Sequence, residues 1–226
     1  MHSLETVAEA PPRTRSHPQS HPSSRDLAIR TLDILVAIAA LVVLGPLLVC
    51  VAASIFLVDG GPPLFAHQRL GKGGKRFGCL KFRTMVVDSQ QRLEALLARD
   101  PVARAEWDRD QKLRNDPRVT WLGRFYRKAS IDELPQLINV LRGEMSIVGP
   151  RPIVQAERAR YGRHFAAYCA VNPGITGIWQ VCGRNDVSYR RRIACDVLYS
   201  RSRSLHLNIR IIAMTIPAVL KSEGSY

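Results

Sequence analysis

Two adjacent carboxylates, Asp132 and Glu133, lie in the segment RKASIDELPQLINVLRGEMSIVGPRP, residues 127–152. Neighbours on a helix point about 100° apart, so adjacent acids can take two different roles. One can attack phosphorus as a nucleophile while the other holds a divalent metal that neutralises phosphate charge. The bland reading is that both acids offset a helix dipole, as acids in first turns commonly do. The cations around them weigh against that reading. Arg127 and Lys128 stand just upstream, and Gly149-Pro150-Arg151-Pro152 holds an arginine between two prolines. Flanking prolines restrict the backbone, so that guanidinium loses little entropy when it forks onto a phosphate. In Lys81-Phe82-Arg83-Thr84-Met85, an extended chain puts Lys81 and Arg83 on one face, either as phosphate contacts or as solvated charges.

These residues need elements to position them. Ser130 with Glu133 fits a capping box, and Pro135 is tolerated in a first turn. The spacing therefore predicts a helix from about residue 131 to Arg142, with Leu137, Ile138 and Leu141 as its buried stripe. Short apolar stretches around Gly71-Lys72-Gly73-Gly74 predict a β-hairpin, since GKGGK lacks the spacing and closing hydroxyl of a phosphate loop. Residues 88–115 read as helical, interrupted at Pro101. Asn172-Pro173-Gly174-Ile175-Thr176-Gly177-Ile178-Trp179-Gln180 and Gly183-Arg184-Asn185 form a glycine-punctuated loop where a ligand can approach the backbone. Trp179 there is a base-stacking candidate or, more commonly for a tryptophan, a core residue. Tyr189-Arg190-Arg191-Arg192 is a basic run of the kind usually solvated. The apolar stretch Leu207–Leu220 is too short to span a bilayer and suits a core helix or one lying on a membrane surface.

Ile34–Val58 is a run of 25 residues without a charge. As a straight helix it is about 37 Å long, enough to cross a bilayer core of ~30 Å. Two features favour a helix–break–helix hairpin that enters and returns. Gly45-Pro46 divides the run into arms of roughly 16–18 Å, about half a bilayer. Arginines precede the run (Arg13, Arg15, Arg25, Arg30) and cations follow it (Arg69, Lys72, Lys75, Arg76), so both ends favour the cytoplasmic side. Arg30 and Asp33, three apart at the membrane edge, are placed to pair. Residues 1–26, rich in Pro, Ser, His and Arg, read as a disordered cytoplasmic tail and not as a signal peptide.

The 226 residues fit one domain or two, and 46% hydrophobic content excludes a wholly disordered chain. Five scattered cysteines without a CxxC pair exclude a disulfide-stapled mini-protein and read as reduced thiols. The 33 Lys and Arg against 19 Asp and Glu give a formal charge of +14, which points to a phosphate-rich partner. No nucleic-acid-binding motif accompanies that charge, so nucleic acid is not the expected partner.

In combination the motifs resemble the bacterial sugar transferase family, the monotopic polyprenyl-phosphate phosphoglycosyl transferases that prime exopolysaccharide assembly. The resemblance runs from about Leu27 to Leu220. It rests on the apolar segment with a central proline, KFRTM (81–85), residues 116–152, NPGITGIWQVCGR (172–184) and D-x-x-Y at Asp196 and Tyr199. It implies an α/β chain of the helix-rich α+β type. The expected organisation is a tail (1–26), a re-entrant membrane helix broken at Pro46 (27–60), and a cytoplasmic catalytic domain (61–226) with a short β-hairpin and interfacial amphipathic helices. The domain would lie on the cytoplasmic face of the bacterial inner membrane.

The resemblance implies that Asp132 attacks the β-phosphorus of a UDP-hexose, galactose or glucose, and expels UMP. Undecaprenyl phosphate would then collect the phosphosugar. Glu133 would bind Mg²⁺, and Arg127 and Arg151 would contact phosphate. Lys81, Arg83, Arg184 and Asp196 match further substrate-phosphate positions. Asn208 stands where relatives usually carry Asp and is excluded from the site, and Cys182 replaces a small polar residue in the glycine loop. The chain is expected to be a minimal catalytic unit lacking the membrane extension of larger members, and a homodimer stays open. The contrasting reading is a non-catalytic, membrane-anchored polyanion-binding protein.

Overall fold

A computed structural model describes residues 23–110, 113, 115–182 and 187–220. Helix α1 (Ser24–Asp59) starts at a reciprocal cap between Ser23 and Asp26 and ends at Gly60 in the left-handed conformation. The cap moves the helix start ahead of the expected 26/27 boundary. No residue leaves helical geometry at Pro46: α1 is one helical element from Ser24 to Asp59 that carries the proline midway between two arms. Among the described residues it is the one helix long and apolar enough to cross a membrane.

Both arms of α1 dock on the rest of the chain. Arg30 and Asp33 do not pair as their spacing suggested; each is taken by a partner distant in sequence. The Arg30 guanidinium donates to the carbonyls of Val140 (2.6 Å) and Leu141 (2.9 Å). One Asp33 oxygen accepts from the Ser146 hydroxyl and the Ile147 N–H, each at 2.9 Å. On the other arm, Ser54 shares a 2.7 Å hydrogen bond with the Tyr126 hydroxyl, and Asp59 pairs with Arg83 at 3.2 Å. Between the anchored ends, Val42, Val43, Pro46, Leu47 and Val49 are exposed.

Strands β1 (Leu64–Leu70) and β2 (Arg76–Phe82) form the expected antiparallel hairpin, with Leu70 opposite Arg76 across the glycine turn. Gly73 and Gly74 both have positive φ, which explains the glycines at that turn. Pro101 splits the next region into α2 (Ser89–Arg99) and α3 (Pro101–Asp110), where Asp100 accepts from the N–H groups of Val102 and Ala103. Helix α4 (Trp121–Lys128) is capped by Thr120.

A correction concerns residues 130–142. Ser130 sits in the left-handed region (φ 56°) and makes no side-chain cap; Ile131–Glu133 form one 3-10 turn, and α5 covers only Gln136–Leu141. The capping box fails because Lys81 takes the Glu133 carboxylate that the box would have turned back on Ser130. The buried stripe also shifts: Leu137, Asn139 and Val140 face inward and Leu141 is exposed. The Asn139 side chain accepts from the Leu80 N–H and donates to the Gly78 carbonyl, bolting α5 to β2.

Further along come β3 (Ser146–Val148), α6 (Arg158–Tyr161), α7 (Phe165–Cys169), β4 (Gly174–Thr176) and α8 (Ile178–Cys182). Helices α9 (Tyr189–Ser202) and α10 (Leu205–Leu220) follow. β3 and β4 pair in parallel. The main core joins Ala37, Phe77, Cys79, Leu137, Val140, Met145, Ile147, Val148, Tyr199 and Ile211, so α1, β2, α5, β3, α9 and α10 share one apolar centre. Helix α10 is both core and surface: Asn208 and Ile211 are buried, whereas Ile209, Met214 and Ile216 are exposed.

Candidate active site

The site forms where the end of β2, the 3-10 turn before α5, and the backbone after β3 meet. Lys81 Nζ donates to Glu133 Oε1 at 2.6 Å and lies 4.0 Å from Asp132 Oδ2. Both carboxylates therefore share one ammonium, held by strand β2. Asp132 is buried, with its side chain 12% exposed, while that of Glu133 is 34% exposed.

The neighbouring cations, more than this difference in exposure, separate their acidities. Burial pushes the Asp132 carboxyl up; Lys81 draws it back, the Glu133 charge adds to the rise and Arg127 opposes it, for a pKa of about 6. Burial also acts to raise Glu133, but Lys81, Arg151 and Arg69 outweigh it and hold that carboxyl below its usual range. At neutral pH both are carboxylates, and Asp132 is the one least stabilised by its surroundings.

A small open cavity lies beside Glu133, lined by Arg69, Lys81, Gln136, Arg151, Gly174 and Gln180 among others. One wall needs glycine for a steric reason. A Cβ on Gly174 would lie 2.0 Å from the Gly149 nitrogen, and one on Gly149 would lie 2.5 Å from the Asn172 carbonyl oxygen. Only bare backbone lets the Gly149-Pro150-Arg151-Pro152 segment run against β4, where Gly174 N–H donates to the Pro150 carbonyl. Arg151 reaches this cavity and also lies over the Trp179 ring, 5.7 Å from its centroid.

Trp179 is a buried residue, and Arg192 stacks on it at 4.2 Å. The basic run 190–192 is thus divided, with Arg190 and Arg191 exposed and Arg192 half-buried. Asp196 lies outside the cavity lining, 3% exposed, and accepts from the Tyr161 hydroxyl at 2.6 Å. Burial raises its pKa to about 7 against the pull of Tyr161, Arg192 and Arg151. The Tyr199 hydroxyl lies 2.8 Å from the Val148 carbonyl oxygen and 3.0 Å from Asn208 Oδ1, its one proton serving these acceptors, so Asn208 belongs to the core.

The structure thus brings together Asp132, Glu133, Lys81 and Arg151. Arg127 approaches from α4; its Nε donates to the Thr84 hydroxyl at 2.9 Å, and Asp132 is the carboxylate that most offsets the burial of its charge. Arg83 is turned toward Asp59 at the end of α1. Arg184 lies outside the described residues. Sequence reasoning did not single out Arg69, Gln136, Gln180 or Thr84. Arg69 sits on β1 with no motif around it. The two glutamines and Thr84 do stand inside motif segments; Thr84 meets Arg127 from α4, and the glutamines join the site as lining of the cavity.

As to metal, no group of three or more His, Cys, Asp or Glu side chains gathers among the described residues. Adjacent carboxylates at a cationic cavity nevertheless fit a hard ion shared with a diphosphate, because Mg²⁺ takes one or two carboxylates and completes its shell with phosphate and water.

An α/β unit clasps a long apolar helix at both ends and carries a carboxylate pair beside a cavity lined by Arg69, Lys81 and Arg151. The model of one family, bacterial sugar transferase, matches residues 24–222, and the chain belongs to that family. It is 53% identical over 206 residues to a UDP-galactose-lipid carrier transferase of Erwinia amylovora, and 50% identical over 204 to an undecaprenyl-phosphate galactose phosphotransferase of Salmonella typhimurium. Each alignment covers 90% of this chain and 42% of the relative, so the chain spans under half the length of these two proteins. Exopolysaccharide production protein ExoY of Sinorhizobium fredii is 47% identical, with 87% of each chain covered.

Proposed function

We propose that the protein transfers hexose 1-phosphate from a UDP-hexose, galactose or glucose, to undecaprenyl phosphate and so primes exopolysaccharide assembly. The observation that carries this reading is the inequality of the two carboxylates: a buried Asp132 4.0 Å from Lys81 beside a Glu133 bonded to it at 2.6 Å. An Asp132 oxygen attacks the β-phosphorus. The bond from that phosphorus to the oxygen bridging it to the α-phosphate breaks, and UMP leaves with the electron pair. The C1–O bond stays intact, so the anomeric configuration is kept. An oxygen of undecaprenyl phosphate then attacks the same phosphorus and releases Asp132.

Arg127 faces the nucleophile, while Arg151, Arg69 and Lys81 supply fixed positive charge where the diphosphate lies. Glu133, with Asp132 adjacent, would hold Mg²⁺, which supplies charge neutralisation on the diphosphate. In this reading α1 is the membrane element and the residues after it are the catalytic unit. Anchoring of both α1 ends on one unit, with its apolar middle exposed, supports a re-entrant helix, and the cations on both sides of the apolar run support placing that unit on the cytoplasmic face of the inner membrane. Exposed Trp121 and Phe125 on α4 and Ile209 and Ile216 on α10 offer further contact with membrane lipid.

The test is intact-protein mass after incubation with Mg²⁺ and a panel of UDP-hexoses, without lipid acceptor. A phosphohexose adduct on the parent but not on Asp132→Asn supports the reading and names the sugar. Absence of both an adduct and acceptor-dependent UMP release sinks it, leaving the non-catalytic anion-binding alternative.

A further inference from the structure

Thr84 meets α4 at two separate points. At the helix start, the Thr84 carbonyl accepts the Thr120 N–H at 3.1 Å, and Thr120 caps the Gly123 N–H at 2.9 Å. The approach is close: a Cβ on Gly123 would stand 2.1 Å from the Thr84 carbonyl oxygen. At the helix end, the Thr84 hydroxyl accepts the Arg127 Nε–H at 2.9 Å. Thr84 is buried, directly follows Arg83, and is three residues from Lys81. One short stretch of chain therefore holds the Glu133 cation and, through Thr84, the helix that delivers Arg127.

We infer that Thr84 is a positioning residue whose hydroxyl fixes the plane of the Arg127 guanidinium. A guanidinium hinges about its Cδ–Nε bond, and its donors lie in one plane. Tying Nε to a buried hydroxyl removes that rotation and leaves the Nη groups for the phosphoryl group that Asp132 attacks. This rests on the reading of Asp132 as nucleophile and of Arg127 as its phosphate partner. The backbone and side chain of Thr84 do separable work. The carbonyl anchors the start of α4 whatever the side chain is, and the hydroxyl alone serves Arg127.

The experiment compares Thr84→Val, which keeps the branched shape and removes the acceptor, with Thr84→Ser, which keeps the acceptor. Single-turnover adduct formation at saturating UDP-hexose is expected to slow roughly tenfold in T84V, the scale of one hydrogen bond to a charged group. The donor KM should stay within about threefold, and T84S should run near the parent rate. In an Arg127→Lys background T84V should have no further effect, because the bond it removes is already gone. Equal rates for T84V and parent overturn the inference, as does a T84S as slow as T84V, which would assign the residue to packing. Should T84V not fold, Thr84→Ala takes its place in the same comparison.

The ¹⁵N-arginine spectrum reports the bond without turnover. The Arg127 Nε–H should resist solvent exchange in the parent and T84S and lose that protection in T84V. Unchanged protection in T84V also overturns the inference. Failure of the transferase reading appears separately, as absence of adduct on the parent.

Discussion

Lys81 Nζ bonds Glu133 at 2.6 Å and stops 4.0 Å short of Asp132, so one ammonium distinguishes two carboxylates adjacent in sequence. Lys81→Met removes the charge at similar length. Both carboxylates then repel each other across the turn, and Asp132 loses the first of the forces drawing its pKa down. Adduct formation at pH 7 should fall by about one to two orders of magnitude, the scale of one lost preorganised charge contact. Single-turnover adduct kinetics check this, and a rate within twofold of the parent refutes it.

The two carboxylates are expected to fail differently. Asp132→Asn should abolish the adduct, because an amide is not a nucleophile at neutral pH. Glu133→Gln should retain slow adduct formation that rises with added Mg²⁺, and chelation should stop the parent reversibly. Intact mass read across a Mg²⁺ series separates these. A Glu133→Gln protein indifferent to Mg²⁺ concentration would remove Glu133 from the metal's ligands.

Asp196 predicts a pH dependence of stability. Its folded pKa, about 7, lies above the 3.8 of an unburied carboxyl. The folded state therefore binds the proton more tightly than the unfolded state, so this contribution is full below about pH 4 and is lost as pH rises through 7. Asp196→Asn mimics the protonated form and keeps an acceptor for Tyr161. Its melting temperature relative to the parent should rise steadily from pH 4 to pH 8; a constant difference would contradict the assignment.

Gly174 and Gly149 are steric requirements of the Arg151 loop. Gly174→Ala places a methyl against rigid backbone, and overpacking of this kind costs about 1–3 kcal/mol. Thermal unfolding should drop by several degrees, and phosphohexose adduct formation should fall with it because β4 can no longer hold the loop. Wild-type melting in Gly174→Ala would mean the approach is looser than 2.0 Å implies.

The topology of α1 is open to labelling. Single cysteines at Leu27 and Leu64 should react with an impermeant thiol reagent from the same side of sealed vesicles. Labelling from opposite sides would make α1 a straight span.

By itself the sequence determined which atoms were available. Adjacent Asp132 and Glu133, a proline-flanked Arg151, an uncharged run of 25 residues and a glycine turn at 71–74 are local facts, and hairpin and apolar helix followed from local periodicity and turn chemistry. Tertiary structure decided what those atoms do. The capping box at Ser130 was locally sound and lost to Lys81, which lies 52 residues before Glu133 and forms a shorter, charged bond. Arg30 and Asp33 were spaced to pair, yet α5 and β3 offered each a better partner. Lys81 and Arg83 share a motif and part company, one to the carboxylates and one to the end of α1. Arg69 was legible only as a cation after the apolar run, because a lone arginine in a strand joins a site only when Arg151 and Glu133 close the cavity around it. Local pattern sets the preferences of a few consecutive residues; a buried charge is decided by the distant groups that replace its water.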